Sequence, residues 1–131
     1  MCWTNYIAIP LVLKKPLRVY KVGMSMTSDN FISLYQDFMY YKSQTMPTVE
    51  ITPEFIRTYY SRMNWIKFIG KDSFDIHRGY HSYLTEEAAW HNQDDNEIGI
   101  FEIPAGATIY VNYKRREVVS TDIRYLGLLE E

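Results

Sequence analysis

The last third of the chain contains three strand-like segments in succession, and this feature restricts the fold more than any other. Three apolar-rich segments, IGIFEIP, ATIYVNY and EVVSTDIRYL, are separated by a turn at Ala105 and Gly106 and by the basic corner KRR. From Val118 to Tyr125 the side chains alternate between two faces, which is typical of a half-buried strand. The sequence therefore predicts that the chain ends in successive antiparallel strands.

Further strands are predicted earlier in the chain. LRVYKV, residues 17–22, alternates in the same way between Pro16 and Gly23. Residues 3–9 are an additional strand candidate, and residues 74–83 are compatible with an extended conformation. The late strands therefore have earlier strands with which to pair.

Two longer helices are predicted between the early and the late strands. In TSDNFISLYQDFMYY, apolar residues recur at helical spacing behind capping candidates at residues 27–29, which predicts a helix over residues 29–41. In TPEFIRTYYSRMNWIKFIG, Thr52 is a candidate N-cap, Pro53 suits the first helical position, and a broad apolar stripe runs as far as a stop at Gly70.

A third, short helix completes the predicted fold class. Thr85 is a candidate cap for a helix that runs through Trp90, with Glu86 and Glu87 in its first turn. The expected class is α+β, with a mainly antiparallel sheet, two longer helices and one short helix. With 131 residues, no internal repeat and no linker, the chain is expected to form one domain over residues 1–131.

Composition and charge restrict the functional classes. The net charge of −2 provides no overall cationic field for nucleic acid, and the single cysteine, Cys2, excludes an internal disulfide and a multi-cysteine zinc site. The apolar run of residues 6–13 lacks the basic start of a signal peptide, and no stretch approaches the roughly 20 apolar residues of a membrane span. We expect a cytoplasmic protein, located in the host cytoplasm if it is encoded by a phage.

The stretch IHRGYHSYLTEEAAW, residues 76–90, concentrates polar side chains ahead of the short helix. Its candidate ligand-binding residues are Arg78, His81, Ser82 and Tyr83. Two histidines four residues apart would suit a metal on a helix, but Gly79 between them favours a strand, so no metal site is predicted. A polar cluster on a binding face and satisfied structural histidines both remain open. Ser82 and His81 do not form a nucleophile–base pair, because adjacent strand residues face opposite ways.

The basic corner at residues 114–116 is a second candidate contact region. Arg115, together with Tyr110 and Tyr113, is suited to hold a phosphate or a nucleotide base through charge and stacking. The alternative is that residues 114–116 are the solvent-exposed tip of a hairpin, whose charges favour solubility and bind no ligand. Twelve tyrosines in the chain favour some contact surface, because tyrosine combines a flat apolar ring with a polar tip.

Three segments carry a resemblance to known families. RGYHSYLTEEAAW, FEIPAGATIYV and REVVSTDIRYL resemble the second half of small ADP-ribosyltransferase domains over residues 74–128. They are also similar to uncharacterised short proteins of phages and gut bacteria that carry HS(F/Y)-x-(T/S)-x-E-x-A, then IPKG-x-x-YY, then E-x-VS-x-x-I. The second similarity is closer in wording, and it implies no function.

The transferase resemblance implies roles for particular residues. Glu117 matches the catalytic Glu, which stabilises an oxocarbenium-like ribose as nicotinamide leaves. Ser82 and Tyr83 stand at the Ser-Thr-Ser position, and Tyr20 or Lys21 stands where transferases present an Arg or His, with Arg18 as a further candidate in that strand. The alternative for Glu117 is a solvated charge at a strand end.

Two functions of different classes follow. The first is a small non-enzymatic binding protein, encoded by a phage in one interpretation, that captures a host protein or a nucleotide ligand through a Tyr-rich, partly basic surface. The alternative is an NAD-dependent ADP-ribosyltransferase-like enzyme with a degenerate active site, for which NAD or another nucleotide is the implied cofactor. No strong nucleic-acid signal and no membrane partner are predicted, and a homo-oligomer stays open.

Overall fold

The structure is a computed structural model, and it describes residues 10–27, 29–33, 39–51, 54–57, 73–76, 78–113 and 115–129. Within these ranges the protein is mostly antiparallel β-sheet, with eleven strands and one helix of six residues. The elements are β1 Leu11–Val12, β2 Leu17–Thr27, β3 Asn30–Ser33, β4 Met39–Tyr41, β5 Glu54–Arg57, β6 Ser73–Asp75, β7 Tyr80–Tyr83, α1 Glu86–His91, β8 Glu97–Ile103, β9 Thr108–Asn112, β10 Glu117–Ser120 and β11 Arg124–Leu128.

Nine of these strands form one sheet. Its order is β1-β9-β10-β7-β2-β3-β4, with β8 pairing with both β2 and β11, while β5 and β6 form a separate two-stranded sheet. The long strand β2 is central, since it pairs with β8 from Leu17 opposite Ile103 to Gly23 opposite Glu97. Strand β2 also meets β7 where Tyr20 lies opposite Tyr83, so the first long strand is next to the strand that leads into α1.

The alternation of side chains divides the sheet into two faces. We call the face with Val19, Phe101 and Val118 the core face, because these side chains belong to the largest buried apolar cluster. We call the face with Tyr83 and Val22 the helix face, because these residues pack with Ala89 of α1.

Aromatic rings fill the core face. Phe101 lies at their centre, with ring centroids 5.5 Å from Phe31, 5.0 Å from Tyr40 and 5.0 Å from Tyr125. The rings of Phe31 and Tyr40 meet Phe101 edge to face, the geometry that aromatic quadrupoles favour. Gly99 leaves room for this cluster, since a Cβ there would meet the rings of Phe101 and Phe31 within 3.0 Å.

The predicted helix over residues 29–41 is wrong. Its described residues form β3 and β4, which pair with each other through Phe31 and Tyr40. The expected cap residues instead close the β2–β3 turn: the Thr27 amide donates to Asn30 Oδ1, and the Asp29 amide donates to Thr27 Oγ1. Side-chain oxygens that cap helices also stabilise turns, so local chemistry alone did not separate the two structures.

The second predicted longer helix, over residues 52–70, is contradicted as well. Its described residues form β5, which pairs with β6 through Phe55 opposite Phe74. The remainder of that prediction, from residue 58 onwards, lies outside the described residues, as does the strand candidate over residues 3–9. The fold class is therefore an antiparallel β-sheet protein and not α+β with two longer helices.

Several strand predictions are confirmed, with changed boundaries. The strand predicted over residues 17–22 is the first part of β2, and the first two late segments form β8 and β9. The third late segment is two strands, β10 and β11. Residues 74–83 are also divided between two strands, because Gly79 has a φ of +134° and a Cβ there would lie 2.4 Å from Val119 Cγ1.

The short helix is confirmed. Thr85 is its N-cap, with extended backbone angles, and Thr85 Oγ1 accepts a hydrogen bond from the Ala88 amide at 3.1 Å. Two acidic residues lie in the first turn and His91 in the last, which suits the helix dipole. None of the helices in the described part of the chain is long and apolar enough to cross a membrane.

Candidate functional site

A cleft of about 580 Å³ lies between α1 and the turn that joins β9 to β10. Its walls combine charged, polar and small side chains, and the described residues that line it are Glu87, Ala88, His91, Asn92, Arg115, Arg116 and Glu117. A volume of this size falls within the range of clefts that hold small organic ligands. The cleft is therefore the candidate site.

Glu117 forms the inner end of the cleft. It is the first residue of β10, and it lies opposite Asn112 of β9 and Tyr83 of β7, so its side chain is on the helix face. Only 5% of Glu117 is exposed, and no hydrogen-bond donor in the described part of the chain reaches Oε2. Glu117 is not a solvated strand-end charge, which was the alternative interpretation of its sequence context.

The environment of Glu117 changes its acidity. Burial raises the pKa of this carboxyl from its ordinary value of 4.5 to about 7, although the positive charge of Arg115 acts in the opposite direction. Glu117 is therefore balanced between its neutral and ionised forms near neutral pH. A carboxyl in this state can either donate or accept a hydrogen bond.

The β9–β10 turn places two guanidinium groups at the cleft. The Arg115 amide donates to Asn112 Oδ1 at 3.2 Å, and the Arg116 carbonyl accepts from the Leu84 amide at 2.7 Å, so the turn is attached both to β9 and to the segment before α1. Arg116 has a φ of +54°, a conformation that non-glycine residues adopt mainly in tight turns.

Helix α1 supplies the opposite wall. Its Glu87 Oε2 accepts from Arg116 Nη1 at 3.2 Å, and both side chains are largely exposed, which makes this ion pair weak. His91 and Asn92 add a titratable ring and an amide at the end of the helix, while Ala88 leaves space beside them. The arrangement combines cations, neutral donors and one buried acid.

The structure brings together only some of the predicted site residues. Glu117 and Arg115 line the cleft, and Tyr83 lies next to Glu117 in the same row of the helix face, almost fully buried. Tyr113 is 68% exposed in the β9–β10 turn, and it is not among the described residues that line the cleft. Lys114 lies outside the described residues.

The remaining predicted residues lie elsewhere. Arg78 is exposed and precedes the far end of β7, away from Tyr83. Tyr110 packs in a small buried cluster with Ile76 and Val119. His81 and Ser82 are both buried. Ser82 lies opposite the core-face residue Val118 and His81 opposite Val119, so the two side chains point to opposite faces.

Tyrosine serves mainly as core material here. Eight tyrosines have described side chains, and five of them are buried, namely Tyr40, Tyr80, Tyr83, Tyr110 and Tyr125. Two are exposed, Tyr41 and Tyr113, and Tyr20 is intermediate. The described tyrosines therefore do not form a broad contact surface, and the polar cleft is the stronger candidate for binding.

Sequence reasoning missed the α1 wall of the cleft. His91, Asn92 and Glu87 were not predicted as ligand contacts, and a local signal existed only for Glu87, which was expected in the first turn of a helix. The packing of α1 against the β9–β10 turn depends on long-range contacts that no local pattern encodes. Among the described residues, no group of three or more His, Cys, Asp or Glu side chains is arranged to hold a metal ion.

Comparisons with models of protein families, with curated proteins and with solved structures find no match.

Proposed function

We propose that this chain is a small non-enzymatic binding protein whose cleft between α1 and the β9–β10 turn takes a nucleotide-type ligand with an anionic phosphate group. The observation that carries the proposal is the position of Arg115 and Arg116 in the lining of a ligand-sized cleft, against the buried carboxyl of Glu117. Guanidinium groups favour phosphate oxygens because their donors match them in pairs.

The polar groups of the cleft support a ligand with more than a phosphate. His91 and Asn92 offer further hydrogen bonds at the end of α1, and Glu117 offers one at the inner end. A nucleotide carries phosphate oxygens together with sugar hydroxyls, so it can satisfy cations and a carboxyl at once. Capture of a host protein is the competing form of this function, and the small number of exposed tyrosines among the described ones gives it less support.

The test is to titrate the purified protein with ADP-ribose, NAD and inorganic diphosphate and to measure binding by calorimetry. Thermal shift is the second measurement, because a ligand that binds the native state raises its melting temperature. Arg115→Gln should weaken binding about tenfold or more, since it removes a charge-assisted contact. Arg78→Gln is the matched control, because Arg78 is an exposed arginine outside the cleft lining.

The proposal fails if none of the three ligands binds, or if Arg115→Gln and Arg78→Gln bind equally well. In the first case a protein partner becomes the better hypothesis. In the second case the ligand lies outside this cleft.

A second candidate function is NAD-dependent ADP-ribosyl transfer, and one observation favours it. The strands that the transferase resemblance assigns to the reaction, β10, β7 and β2, are consecutive neighbours in the sheet. Glu117, Tyr83 and Tyr20 lie in one row on the helix face. Lys21 and Ser82 belong to the other face, which weighs against a complete catalytic set.

Release of nicotinamide from NAD distinguishes the two functions. In the transferase, the ionised Glu117 would stabilise the positive ribose as the bond to nicotinamide breaks, so turnover should increase as pH rises through about 7 and Glu117→Gln should abolish it. The binding function predicts no nicotinamide release from the unaltered protein at any pH.

A further inference from the structure

Glu117 is only 5% exposed, yet it is among the residues that line the cleft, and its Oε2 has no hydrogen-bond partner among the described residues. A buried carboxylate that accepts no hydrogen bond is costly, whereas a neutral carboxyl is less so and gains the ability to donate. Glu117 thus brings to the cleft a carboxyl whose hydrogen-bonding capacity the described residues leave partly unused.

We propose that Glu117 selects the charge of the ligand through its own protonation: the cleft binds an anionic diphosphate ester with uptake of one proton on Glu117, which then donates a hydrogen bond to a ligand oxygen. The proposal rests on the nucleotide-binding function above. The proton comes from solvent, and no covalent bond is made or broken.

The coupling follows from the neighbours of Glu117. Arg115 is the charge that favours the ionised form of Glu117. A phosphate bound to Arg115 neutralises that charge and brings a negative charge to the carboxyl, and both effects raise the pKa of Glu117. By linkage, a ligand that raises the pKa of Glu117 binds more tightly at lower pH.

Other charged groups face the cleft from each element around Glu117. The turn contributes Arg116 as well as Arg115, and α1 contributes Glu87, which is paired with Arg116, and His91. Strand β7 contributes the buried phenol of Tyr83, and β9 contributes the neutral amide of Asn112. His91 brings an imidazole to the same cleft lining, so it needs a control of its own.

The experiment is calorimetric titration with ADP-ribose between about pH 6 and about pH 8.5, in pairs of buffers that differ in ionisation enthalpy, so that protons taken up are counted. ADP-ribose is chosen because its diphosphate keeps a constant charge over this range and because it has no nicotinamide to lose. The unaltered protein, Glu117→Gln and His91→Gln are compared.

For the unaltered protein we expect a constant Kd with little proton uptake below about pH 7. Above this pH, Kd should rise by a factor approaching tenfold per pH unit, with uptake approaching one proton per ligand. Glu117→Gln should lose both the rise and the uptake, since its amide always donates. His91→Gln should keep the rise above about pH 7.

A Kd independent of pH in the unaltered protein, or a rise that persists in Glu117→Gln, would overturn this inference while leaving nucleotide binding intact. Absence of ADP-ribose binding at every pH would instead overturn the proposed function, and this inference with it. If Glu117→Gln does not fold, the proton count on His91→Gln decides the question, because that variant keeps Glu117 and lacks the imidazole.

Discussion

Two buried ionisable side chains lie on opposite faces of the same sheet, and their surroundings differ. On the core face, Lys21 is 3% exposed; its Nζ donates to the His81 carbonyl at 2.5 Å and lies 5.1 Å from the ring centroid of Tyr40 and 5.7 Å from that of Phe101. On the helix face, Glu117 is similarly buried but lines a cleft, and its Oε2 has no hydrogen-bond partner among the described residues.

Burial acts on both groups in a comparable way. It lowers the pKa of Lys21 from 10.5 to about 7 and raises the pKa of Glu117 from 4.5 to about 7, so in each case the charged form is disfavoured. The protein itself supplies partners for Lys21, a carbonyl and two aromatic rings. Lys21 therefore has partners within the protein, whereas the described part of the chain supplies no hydrogen-bond partner for Glu117 Oε2.

The largest expected effect is a loss of stability when the closed core face is disrupted. Phe101→Ala removes the ring that contacts Phe31, Tyr40 and Tyr125, and it should lower the free energy of unfolding by about 3–5 kcal/mol. Urea denaturation measures this, with Phe101→Leu as the control that keeps most of the volume and loses much less. A loss below about 1 kcal/mol for Phe101→Ala would show that this cluster is not the main core.

Lys21 should make stability rise with pH. Above about pH 7 the native state has lost the Lys21 proton, whereas the unfolded chain keeps it up to about pH 10.5. Between these two pH values the free energy of unfolding should therefore increase by up to about 1.4 kcal/mol per pH unit. Below about pH 7 Lys21 should contribute no pH dependence. In Lys21→Met this contribution should be absent. The measurement is the urea midpoint of the unaltered protein and of Lys21→Met at several pH values from neutral to alkaline. If the midpoints of both proteins change with pH by the same amount, Lys21 is not buried as described.

Glu117 should act with the opposite sign and in a different pH range. Between about 4.5 and about 7 the unfolded chain has lost the proton that the native state retains, so stability should fall as pH rises through this window. Above about pH 7 the native state carries the full cost of a buried, ionised Glu117 carboxylate. Glu117→Gln should then be more stable than the unaltered protein by about 1–3 kcal/mol. Thermal unfolding at mildly acidic and mildly alkaline pH checks the expectation, and equal melting temperatures at alkaline pH would refute it.

The smallest expected effect concerns the ion pair at the mouth of the cleft. Glu87→Gln breaks the contact with Arg116, and because both side chains are largely exposed the free energy of unfolding should change by no more than about 0.5 kcal/mol. Chemical denaturation at low and moderate salt measures the change. A loss of more than about 1 kcal/mol would indicate that this pair, and not packing of Ala89 on the sheet, holds α1 in place.

Features encoded by neighbouring residues were predictable from the sequence. The late strands, the turn at Gly106 and the cap at Thr85 each depend on a few adjacent residues, and the opposite directions of His81 and Ser82 follow from strand geometry alone. The longer helices failed because apolar residues spaced three and four apart also occur in a hairpin. Whether such residues form a helix or a strand depends on cross-strand partners, such as Tyr40 opposite Phe31. These partners lie too far along the chain to be recognised from a local pattern.

The site was predictable to a similar extent. Arg115 was proposed from the basic corner and Glu117 from the transferase resemblance, and both line the cleft. Their surroundings were not predictable, since the burial of Glu117 depends on the strands on either side and on the approach of α1. Arg78 was proposed from the polar stretch before α1 and Tyr110 from the basic corner, and neither is among the described residues that line the cleft.

The most direct test of ligand binding in the cleft is a titration of ¹⁵N-labelled protein with ADP-ribose, monitored by NMR of the backbone amides. We predict saturable shifts at Ala88, His91, Asn92, Arg115 and Glu117, around the cleft, with little change at core-face residues of β2 and β8. Shifts confined to another part of the chain, or no shifts at concentrations of ADP-ribose that saturate typical nucleotide sites, would contradict the claim that this cleft binds an anionic ligand.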